Sequence, residues 1–397
     1  MPPAVSNPTD RLRVAALFAG IGGIEVGLHA AGHDTAVLCE WDEAAQRVLR
    51  ARFPDVPLVG DVAEMMELPD VDLVTAGFPC QDLSQAGRTA GIEGARSGLV
   101  GHVFRLLDDA RHSPTWLLLE NVSFMLALDR GRAMQWLTDE LERRGYTWAY
   151  RVVDTRAFGL PQRRQRVLLL ASRTEDPRPV LLNEEHREVV IEHRGGLACG
   201  FYWTEGVRGL GWAVDAIPTL KGGSTIGIPS PPAIWRPGTG CVVTPEIRDA
   251  ERFQGFPAGW TEPADEILGR KRTDRWKLVG NAVSTPVAEW LGRRILTREP
   301  YEADDGHRLG AESRWPNAAW GQAGERRAVE RSMWPVAYPR PHLHEFLEHE
   351  PNLLSARATA GFLGRAEKGN LRIPEDLIAE CRLHLDAMTP QIRLAVA

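Results

Sequence analysis

Residues 14–23 read VAALFAGIGG, a short apolar run that ends in a glycine-rich turn. The run has no polar alternation, which is typical of a strand buried on both faces of a sheet. Similar apolar runs follow at residues 36–39, 57–60, 71–76, 116–119, 148–154 and 167–170. Helical three- and four-residue spacing lies between them at residues 43–51, 99–110 and 133–144. This alternation predicts an α/β core in which helices cover both faces of a parallel sheet.

The rest of the sequence indicates three further segments. Periodicity fades between residues 175 and 244, where Gly and Pro accumulate, as in KGGSTIGIPSPPAIWRPGTG. Helical spacing returns at 246–253 and 286–296, and two short helix candidates lie near Ser355 and Pro374. We therefore predict a core at 11–173, a small irregular domain at 174–243, a second part of the core at 244–297 and an extension at 298–397.

The composition excludes several classes of protein. Of 397 residues, 43% are hydrophobic and 25% are charged, with a formal charge of −6, which excludes collagen, coiled coils and histone-like binders. Five scattered cysteines without CxxC spacing indicate neither a disulfide framework nor a zinc ribbon, and no metal site is predicted. No run of 18 apolar residues and no apolar leader are present, so we expect a cytoplasmic protein.

The glycine turn and the acids that follow it indicate a nucleotide-type ligand. Glu40 comes 20 positions after Gly20, where Rossmann-like folds bind a ribose, and Trp41 is placed to stack on an adenine. Asp61 is placed to accept a hydrogen bond from the adenine amino group. Glu25 replaces the third glycine of GxGxxG, which argues against a pyrophosphate and favours S-adenosylmethionine. A tight turn without a ligand is the alternative.

Three later motifs carry groups that suit catalysis. Cys80 follows Pro79 in a stiff loop at a predicted strand end, where a nucleophile is accessible, although lone cysteines are usually buried. Glu120 ends another strand and is placed either to hold a proton or to cap a helix. Alternation predicts that Arg164 and Arg166 share one face of the next strand.

The order of these motifs resembles that of the DNA cytosine-5 methyltransferases. The matching stretches are FAGIGG, CEWD, GDV, GFPCQDLS, LENV, GLPQRRQR, RDAERFQGFP and GNAVSTPVAEWLG, and they run from residue 17 to about residue 296. The resemblance implies a Rossmann-like core that uses S-adenosylmethionine, with 174–243 as the target-recognition domain. It implies methyl transfer to C5 of a flipped-out cytosine in a specific short double-stranded DNA sequence, and a nucleoid-associated location.

The resemblance also implies roles for individual residues. Cys80 would add covalently to C6 of the cytosine, and Glu120 would contact N3 and the exocyclic amine. Arg164 and Arg166 would bind the pyrimidine O2 and a nearby phosphate, while a bound water would accept the C5 proton. The residues that would line the cofactor site are Phe18, Gly20, Gly22, Glu40, Trp41, Asp61, Val62, Pro79, Leu99, Asn281 and Ala282.

On the DNA side, Gln81 and Ser84 would belong to a loop that closes over the flipped base. Thr219, in the family's Thr-Leu pair, would help to hold that nucleotide. The expected groove contacts, for which a purely structural role is the alternative, are Lys221, Ser224, Thr225, Trp235 and Arg236. The sequence has Arg248-Asp249 where the family has Arg-Glu, and we expect it to hold the same internal ion pair.

Three other functions fit part of the pattern. They are a tRNA cytosine-5 methyltransferase of the same fold, a catalytically inactive DNA-binding regulator and a nucleotide-dependent dehydrogenase. The stretch TLKGGSTIGIPSPPAIW favours DNA, the intact Cys80 and Glu120 argue against an inactive regulator, and Glu25 disfavours a dehydrogenase. We predict a monomer whose partners are double-stranded DNA and a cognate restriction endonuclease that acts separately on the same site. For the extension, packing on the core is favoured over DNA contact or dimerisation.

Overall fold

The computed structural model describes residues 11–79, 98–191, 195–222, 230–266, 273–297, 299–301, 306–310 and 313–396. The chain forms two compact units. Unit 1 consists of Met1–Ala157, Gln165–Glu188 and Ala282–Ala337, and unit 2 consists of Phe158–Arg164, Val189–Asn281 and Tyr338–Ala397. Each unit therefore combines three segments that are distant in sequence. The bounds of the four predicted segments stay predictions.

The described residues contain short and long strands in both units. In chain order they are β1 (Arg13–Leu17), β2 (Asp34–Cys39), β3 (Leu58–Val59), β4 (Leu73–Ala76), β5 (Trp116–Val122), β6 (Thr147–Asp154), β7 (Gln162–Arg163), β8 (Gln165–Ser172), β9 (Cys199–Phe201), β10 (Ala213–Val214), β11 (Ile217–Pro218), β12 (Ala233–Trp235), β13 (Val242–Thr244), β14 (His307–Arg308), β15 (Ala318–Gln322), β16 (Glu325–Ala328) and β17 (Asn352–Leu353).

The helices of the described residues lie between these strands. In chain order they are α1 (Gly23–Ala30), α2 (Glu43–Arg52), α3 (Leu99–Asp109), α4 (Arg132–Arg143), α5 (Arg178–Leu182), α6 (Ile247–Arg252), α7 (Thr273–Asn281), α8 (Thr285–Leu296), α9 (Leu343–Phe346), α10 (Ala356–Ala366) and α11 (Glu375–Val396). None of the helices in the described part of the chain has the length and apolar character that crossing a membrane requires.

Unit 1 is built on a sheet whose described strands follow the order β14-β16-β15-β6-β8-β5-β4-β1-β2-β3. The five strands from β5 to β3 are parallel, as predicted. The prediction of a wholly parallel sheet is wrong, because β8 runs antiparallel to both β5 and β6. The connection from β6 to β8 contains a short 3-10 turn, Thr155–Phe158, and the two-residue strand β7, but no crossover helix that would return the chain to a parallel strand.

Helices cover both faces of this sheet. Side chains of α3 and α4 pack on the face formed by Leu17, Val74 and Leu119. On the opposite face α1 packs closely against α8, since a Cβ at Gly27 would overlap the carbonyl oxygen of Thr285. This close approach returns residues 282–296 to the core, more than 250 positions after α1.

Unit 2 contains an antiparallel sheet whose described strands follow the order β10-β9-β12-β13-β17. Helices α10 and α11 pack on one face through Phe362 and Leu377, against Phe201 and Trp235 of the sheet. The other face packs against Phe253 of the loop after α6 and other apolar residues. The segment predicted to be irregular thus contributes strands of two or three residues. The last part of the extension supplies β17 and two helices that bury apolar surface against them.

The extension divides between the two units. Strands β14, β15 and β16 continue the sheet of unit 1, where β15 pairs with β6. Residues 338–396 belong to unit 2, where β17 pairs with β13. The described residues of the extension pack against the rest of unit 1 and of unit 2, which is the role that the sequence favoured for the extension.

Candidate active site

The glycine turn after β1 is tied to the acid at the end of β2. Phe18 and Gly20 have positive φ values of 57° and 58°, a strained conformation for Phe18 that surrounding contacts must hold. The Ala19 N–H donates to the Cys39 carbonyl at 3.0 Å. The Gly20 N–H donates to Oε2 of Glu40 at 2.7 Å, and the Asp42 N–H donates to Oε1 at 2.7 Å. Burial raises the pKa of Glu40, and these two N–H groups oppose that effect.

The remaining groups of the predicted cofactor site in unit 1 follow β2 and β3 at the same edge of the sheet. The Trp41 side chain is 76% exposed. Asp61 accepts the Ala63 N–H at 2.8 Å, and the carbonyl of buried Val62 accepts from Arg105. A Cβ at Gly20 would meet no described heavy atom within 4 Å, so the space beside it is open. An open turn, an exposed indole and two carboxylates, which can accept hydrogen bonds, are a set of groups that fits an adenosine.

Glu120 and Arg166 meet at the carboxyl end of β5. The Arg166 Nε lies 2.9 Å from Oε1 of Glu120, and both side chains are mostly buried. A Cβ at Gly77 would lie 3.6 Å from Oε2 of Glu120 and 3.9 Å from the Phe18 carbonyl oxygen. The structure therefore brings the glycine turn, the strand end before Cys80 and the Glu120–Arg166 pair together within unit 1.

Asn121 anchors the loop that leads to the predicted nucleophile. Its Nδ2 donates to the Phe78 carbonyl at 3.0 Å, and the Phe78 ring meets the Phe18 ring edge-on at 6.5 Å. Pro79 is the last residue of the described range 11–79. The predicted residues that lie outside the described residues are Cys80, Gln81, Ser84, Ser224 and Thr225. Asn121 was not predicted as a site residue, although its place beside Glu120 in LENV was the available signal.

The prediction that the two arginines of QRRQR share one strand face is wrong. β7 ends at Arg163 and β8 begins at Gln165, so Arg164 lies in a break between them. Arg164 is 1% exposed and donates to the carbonyls of Leu220 and Gly280, each at 3.1 Å. The break arises because β7 pairs with β11 in a separate small sheet of unit 2. The guanidinium of Arg164 thus links two loops of unit 2, whereas Arg166 pairs with Glu120.

The Thr219-Leu220 pair is fixed to the segment before Arg164. The Thr219 hydroxyl donates to the Arg163 carbonyl at 2.8 Å, and the Leu220 N–H donates to Oε1 of Gln162 at 2.9 Å. Lys221 pairs with Glu205 at 2.6 Å and lies 3.6 Å from the centre of the Tyr202 ring.

Other predicted residues of unit 2 differ in their surroundings. A Cβ at Gly222 would overlap Oδ1 of Asn281, so the Asn281 side chain lies against the backbone of Gly222. Arg236 is exposed in the turn between β12 and β13. The prediction that Trp235 contacts the groove is wrong, because its side chain is fully buried against α10 and α11.

The ion pair of the RDAER stretch also differs from the prediction. Arg248 pairs with Glu246 at 2.8 Å, whereas buried Asp249 pairs with Arg252 at 2.7 Å. Asp249 also accepts the backbone N–H groups of Glu348 and His349 from the extension. The shorter acid therefore joins α6 to the segment after α9.

Sequence comparisons decide the family. The model of the C-5 cytosine-specific DNA methylase family matches residues 12–196. The Type II methyltransferase M2.BsuMI of Bacillus subtilis (strain 168) is 49% identical over 366 residues, which is 90% of this chain and 94% of that protein. The chain belongs to the C-5 cytosine-specific DNA methylase family. It is a DNA cytosine-5 methyltransferase, which confirms the family and the enzyme class predicted from the motifs.

More distant relatives of this DNA cytosine-5 methyltransferase agree. The Type II methyltransferase M.SsoII of Shigella sonnei is 29% identical over 75% of this chain and 83% of its own length. Among solved structures, Entamoeba histolytica methyltransferase EhMeth matches with a TM-score of 0.51 and 14% identity, over 72% of this chain and 98% of that one. S. pombe Dnmt2 matches with a TM-score of 0.50 and 16% identity, over the same shares of the two chains. These structures confirm the predicted Rossmann-like methyltransferase fold.

Proposed function

We propose that this DNA cytosine-5 methyltransferase transfers a methyl group from S-adenosylmethionine to C5 of a flipped-out cytosine in one short double-stranded sequence. The observation that carries the proposal is the Glu120–Arg166 pair beside Gly77, three residues before Cys80. A proton-holding carboxyl, a fixed guanidinium and a thiol are the groups that activation of a cytosine ring requires.

The cofactor residues fit S-adenosylmethionine by their chemistry. Each oxygen of Glu40 accepts one backbone N–H and keeps a second lone pair for a ribose hydroxyl. The exposed indole of Trp41 offers a face for the adenine, and Asp61 offers an acceptor for its amino group. The cofactor supplies an electrophilic methyl group on a sulfonium. S-adenosylmethionine has no phosphate, so its site does not require the third glycine and tolerates Glu25 in that position.

The chain's own residues act on the cytosine. The Cys80 thiolate forms a bond to C6 while Glu120 holds a proton at N3, so that C5 becomes nucleophilic. Arg166 orients Glu120 through the 2.9 Å contact, and its charge favours the thiolate. After methylation, water takes the C5 proton and the electron pair of the C5–H bond expels the Cys80 sulfur. We assign Arg164 a positioning role, because it holds the loops at Leu220 and Gly280.

Unit 2 carries the proposed DNA-reading residues, Thr219, Lys221 and Arg236. The relatives named as type II methyltransferases support a cognate restriction endonuclease that acts separately on the same site. A monomer in the cytoplasm suffices for this activity, since the proposed catalytic side chains all come from one chain.

The test is methyl transfer by wild type, Cys80→Ala and Glu120→Gln from labelled S-adenosylmethionine to unmethylated bacterial genomic DNA and to tRNA. Bisulfite sequencing of the DNA then locates protected cytosines. We expect one short motif with wild type, no product with Cys80→Ala and a loss of about 10²- to 10⁴-fold with Glu120→Gln. Glu289→Gln is the matched control, because the contact that Glu289 makes among the described residues is a surface pair with Arg293.

Two outcomes contradict the proposal. Transfer to tRNA and not to DNA would identify the RNA enzyme of the same fold. Cofactor binding without transfer to either nucleic acid would identify an inactive regulator.

A further inference from the structure

The turn between β12 and β13, residues 236–241 with the sequence RPGTGC, has a fixed backbone shape. Gly238 and Gly240 have positive φ values of 81° and 61°, which other residues adopt only under strain. The Thr239 hydroxyl donates to the Arg236 carbonyl at 2.8 Å, and the Thr239 N–H donates to the same oxygen at 3.3 Å. Hydrogen bonds within the turn thus define its path.

A carboxylate of the extension binds this turn. Oε1 of Glu380, on α11, accepts the Gly238 N–H at 2.6 Å, and Oε2 accepts the Gly240 N–H at 2.9 Å. Hydrogen bonds to an ionised acceptor are stronger than neutral ones. One helical turn later, buried His384 accepts the Val242 N–H at 3.4 Å and donates to the Leu354 carbonyl at 2.7 Å. Helix α11 therefore holds both the turn and the strand that leaves it.

Arg236 is the exposed cation that the turn presents. Two other cations of unit 2 are engaged in ion pairs, Lys221 with Glu205 and Arg252 with Glu348. Among the described residues, no carboxylate lies within ion-pair distance of Arg236. It borders an open cavity of about 520 Å³ in unit 2, whose other polar lining residues are Thr239, Cys241, His344, Glu348, His349 and Glu350.

A guanidinium on a fixed turn suits the reading of a base. Arg binds guanine O6 and N7 through two parallel hydrogen bonds, and this recognition requires the side chain to be held in place. A mobile turn would instead let Arg236 contact any phosphate, which adds affinity without specificity. We propose that Glu380 is a positioning residue for sequence recognition, which fixes the turn so that Arg236 reads one guanine of the target. The inference rests on the proposed function.

The test compares wild type with Arg236→Ala, Glu380→Ala, Glu380→Gln and the double variant Arg236→Ala/Glu380→Ala. Each methylates a pool of duplexes in which every base pair of the target is varied in turn. Glu367→Gln is the matched control, since Glu367 lies in the same extension and pairs with Arg382 at the surface. The readouts are kcat, KM for DNA, KM for S-adenosylmethionine and Tm.

We expect Arg236→Ala to reduce the preference for guanine at one position by about 10- to 100-fold. Glu380→Ala should reduce the preference at the same position and raise KM for DNA. The values of kcat and of KM for S-adenosylmethionine should stay within about twofold of wild type, since the turn lies outside the proposed chemistry. The double variant should be no less selective than Arg236→Ala, because both single changes remove the same contact between Arg236 and the guanine.

The inference is wrong if Glu380→Ala lowers Tm and leaves the preference at every position unchanged, since Glu380 would then be only structural. It is also wrong if Arg236→Ala weakens all duplexes equally. If Glu380→Ala does not fold, the base preference of Glu380→Gln, which keeps one acceptor, decides between a positioning role and a purely structural role. Failure of the proposed function is distinct, because wild type itself would then methylate no DNA.

Discussion

At the scale of single residues, Glu25 is a carboxyl without an ion pair among the described residues of unit 1. It lies buried in the first turn of α1, where the Thr75 hydroxyl donates to Oε1 at 3.4 Å. Burial raises the pKa of Glu25 to about 7, and the charge of Glu40 acts in the same direction. Its own backbone N–H and Thr75 oppose the shift and do not cancel it. The folded protein therefore keeps this carboxyl protonated to nearly neutral pH.

This raised pKa predicts how the stability of unit 1 depends on pH. Between pH 4.5 and about 7 the folded state binds more protons than the unfolded state, so stability falls as pH rises. Over the whole interval the loss is about 3 kcal/mol. We expect Glu25→Gln, which cannot ionise, to remove this slope in urea unfolding between pH 4.5 and 8. Glu289→Gln should keep it. Equal slopes in wild type and Glu25→Gln would show that Glu25 ionises normally.

Asn121 gives a second prediction at this scale. Asn121→Ala removes the hydrogen bond to the Phe78 carbonyl, two residues before Cys80. A displaced nucleophile loses its alignment, and a shift of about 1 Å costs on the order of 100-fold in rate. We expect a kcat about 100-fold lower with unchanged binding of S-adenosylmethionine in calorimetry. Asn183→Ala is the control, because Asn183 donates to the Pro300 carbonyl at an exposed site. Unchanged kcat would mean that other contacts position the loop.

At the scale of elements, two buried aspartates hold the segment around α9 in unit 2. Asp215 accepts the Leu343 N–H at 2.8 Å and contacts Nδ1 of His342 at 3.0 Å. Asp249 likewise accepts the His349 N–H and contacts Nδ1 of His349 at 3.1 Å. The two acids therefore anchor both ends of a segment that leads directly into β17.

Removal of one anchor should destabilise unit 2. Asp249→Asn keeps the shape of the side chain but removes the charge that faces Arg252 and replaces one acceptor with a donor. We expect a loss of about 2 to 3 kcal/mol in unfolding followed by tryptophan fluorescence. Asp386→Asn, at an exposed position of α11, should change stability by less than about 0.5 kcal/mol. Equal effects of the two changes would show that the anchor contributes nothing.

The elements also show how far the sequence could be interpreted. Strands such as β1, β4 and β8 carry buried apolar runs of four or more residues and were predicted within three residues at each end. The strands β9 to β13 have two or three residues, too few to show a period. In β16 the sequence is ERRA, which looks like a polar loop and forms a strand because β14 and β15 pair with it on either side.

The same limit applies to the candidate site. The spacing of 20 between Gly20 and Glu40 was readable, and the structure joins the two by a hydrogen bond. The separation of Arg164 from Arg166 could not be predicted from the sequence, because it depends on the pairing of β7 with β11. These two strands lie more than 50 residues apart. Nor could the contact between Glu380 and residues 238–240 be predicted, since no motif covers either partner.

At the scale of the whole molecule, the two units have separate hydrophobic cores and separate sheets. The proposed cofactor residues Phe18, Glu40 and Asp61 all belong to unit 1, whereas α10 and α11 belong to unit 2. A ligand that binds only the folded state stabilises the part that it contacts, by about 2.7 kcal/mol at 100 times its Kd. Saturation with S-adenosylmethionine should therefore protect the two units unequally.

Hydrogen exchange of the full chain with and without S-adenosylmethionine tests this expectation. Backbone amides of residues 17–23, 40–42 and 61–64 should exchange more slowly with the cofactor, because several of them already form the hydrogen bonds around Glu40 and Asp61 that binding would order. Amides of β9, β12, α10 and α11 should exchange at an unchanged rate. The variant Glu40→Gln, which weakens the acceptor for both the turn and the ribose, should lose the protection, whereas Glu289→Gln should retain it. Protection confined to unit 2 would place the cofactor elsewhere. Equal protection throughout would show that the two units open together, because a ligand on one core would then stabilise both.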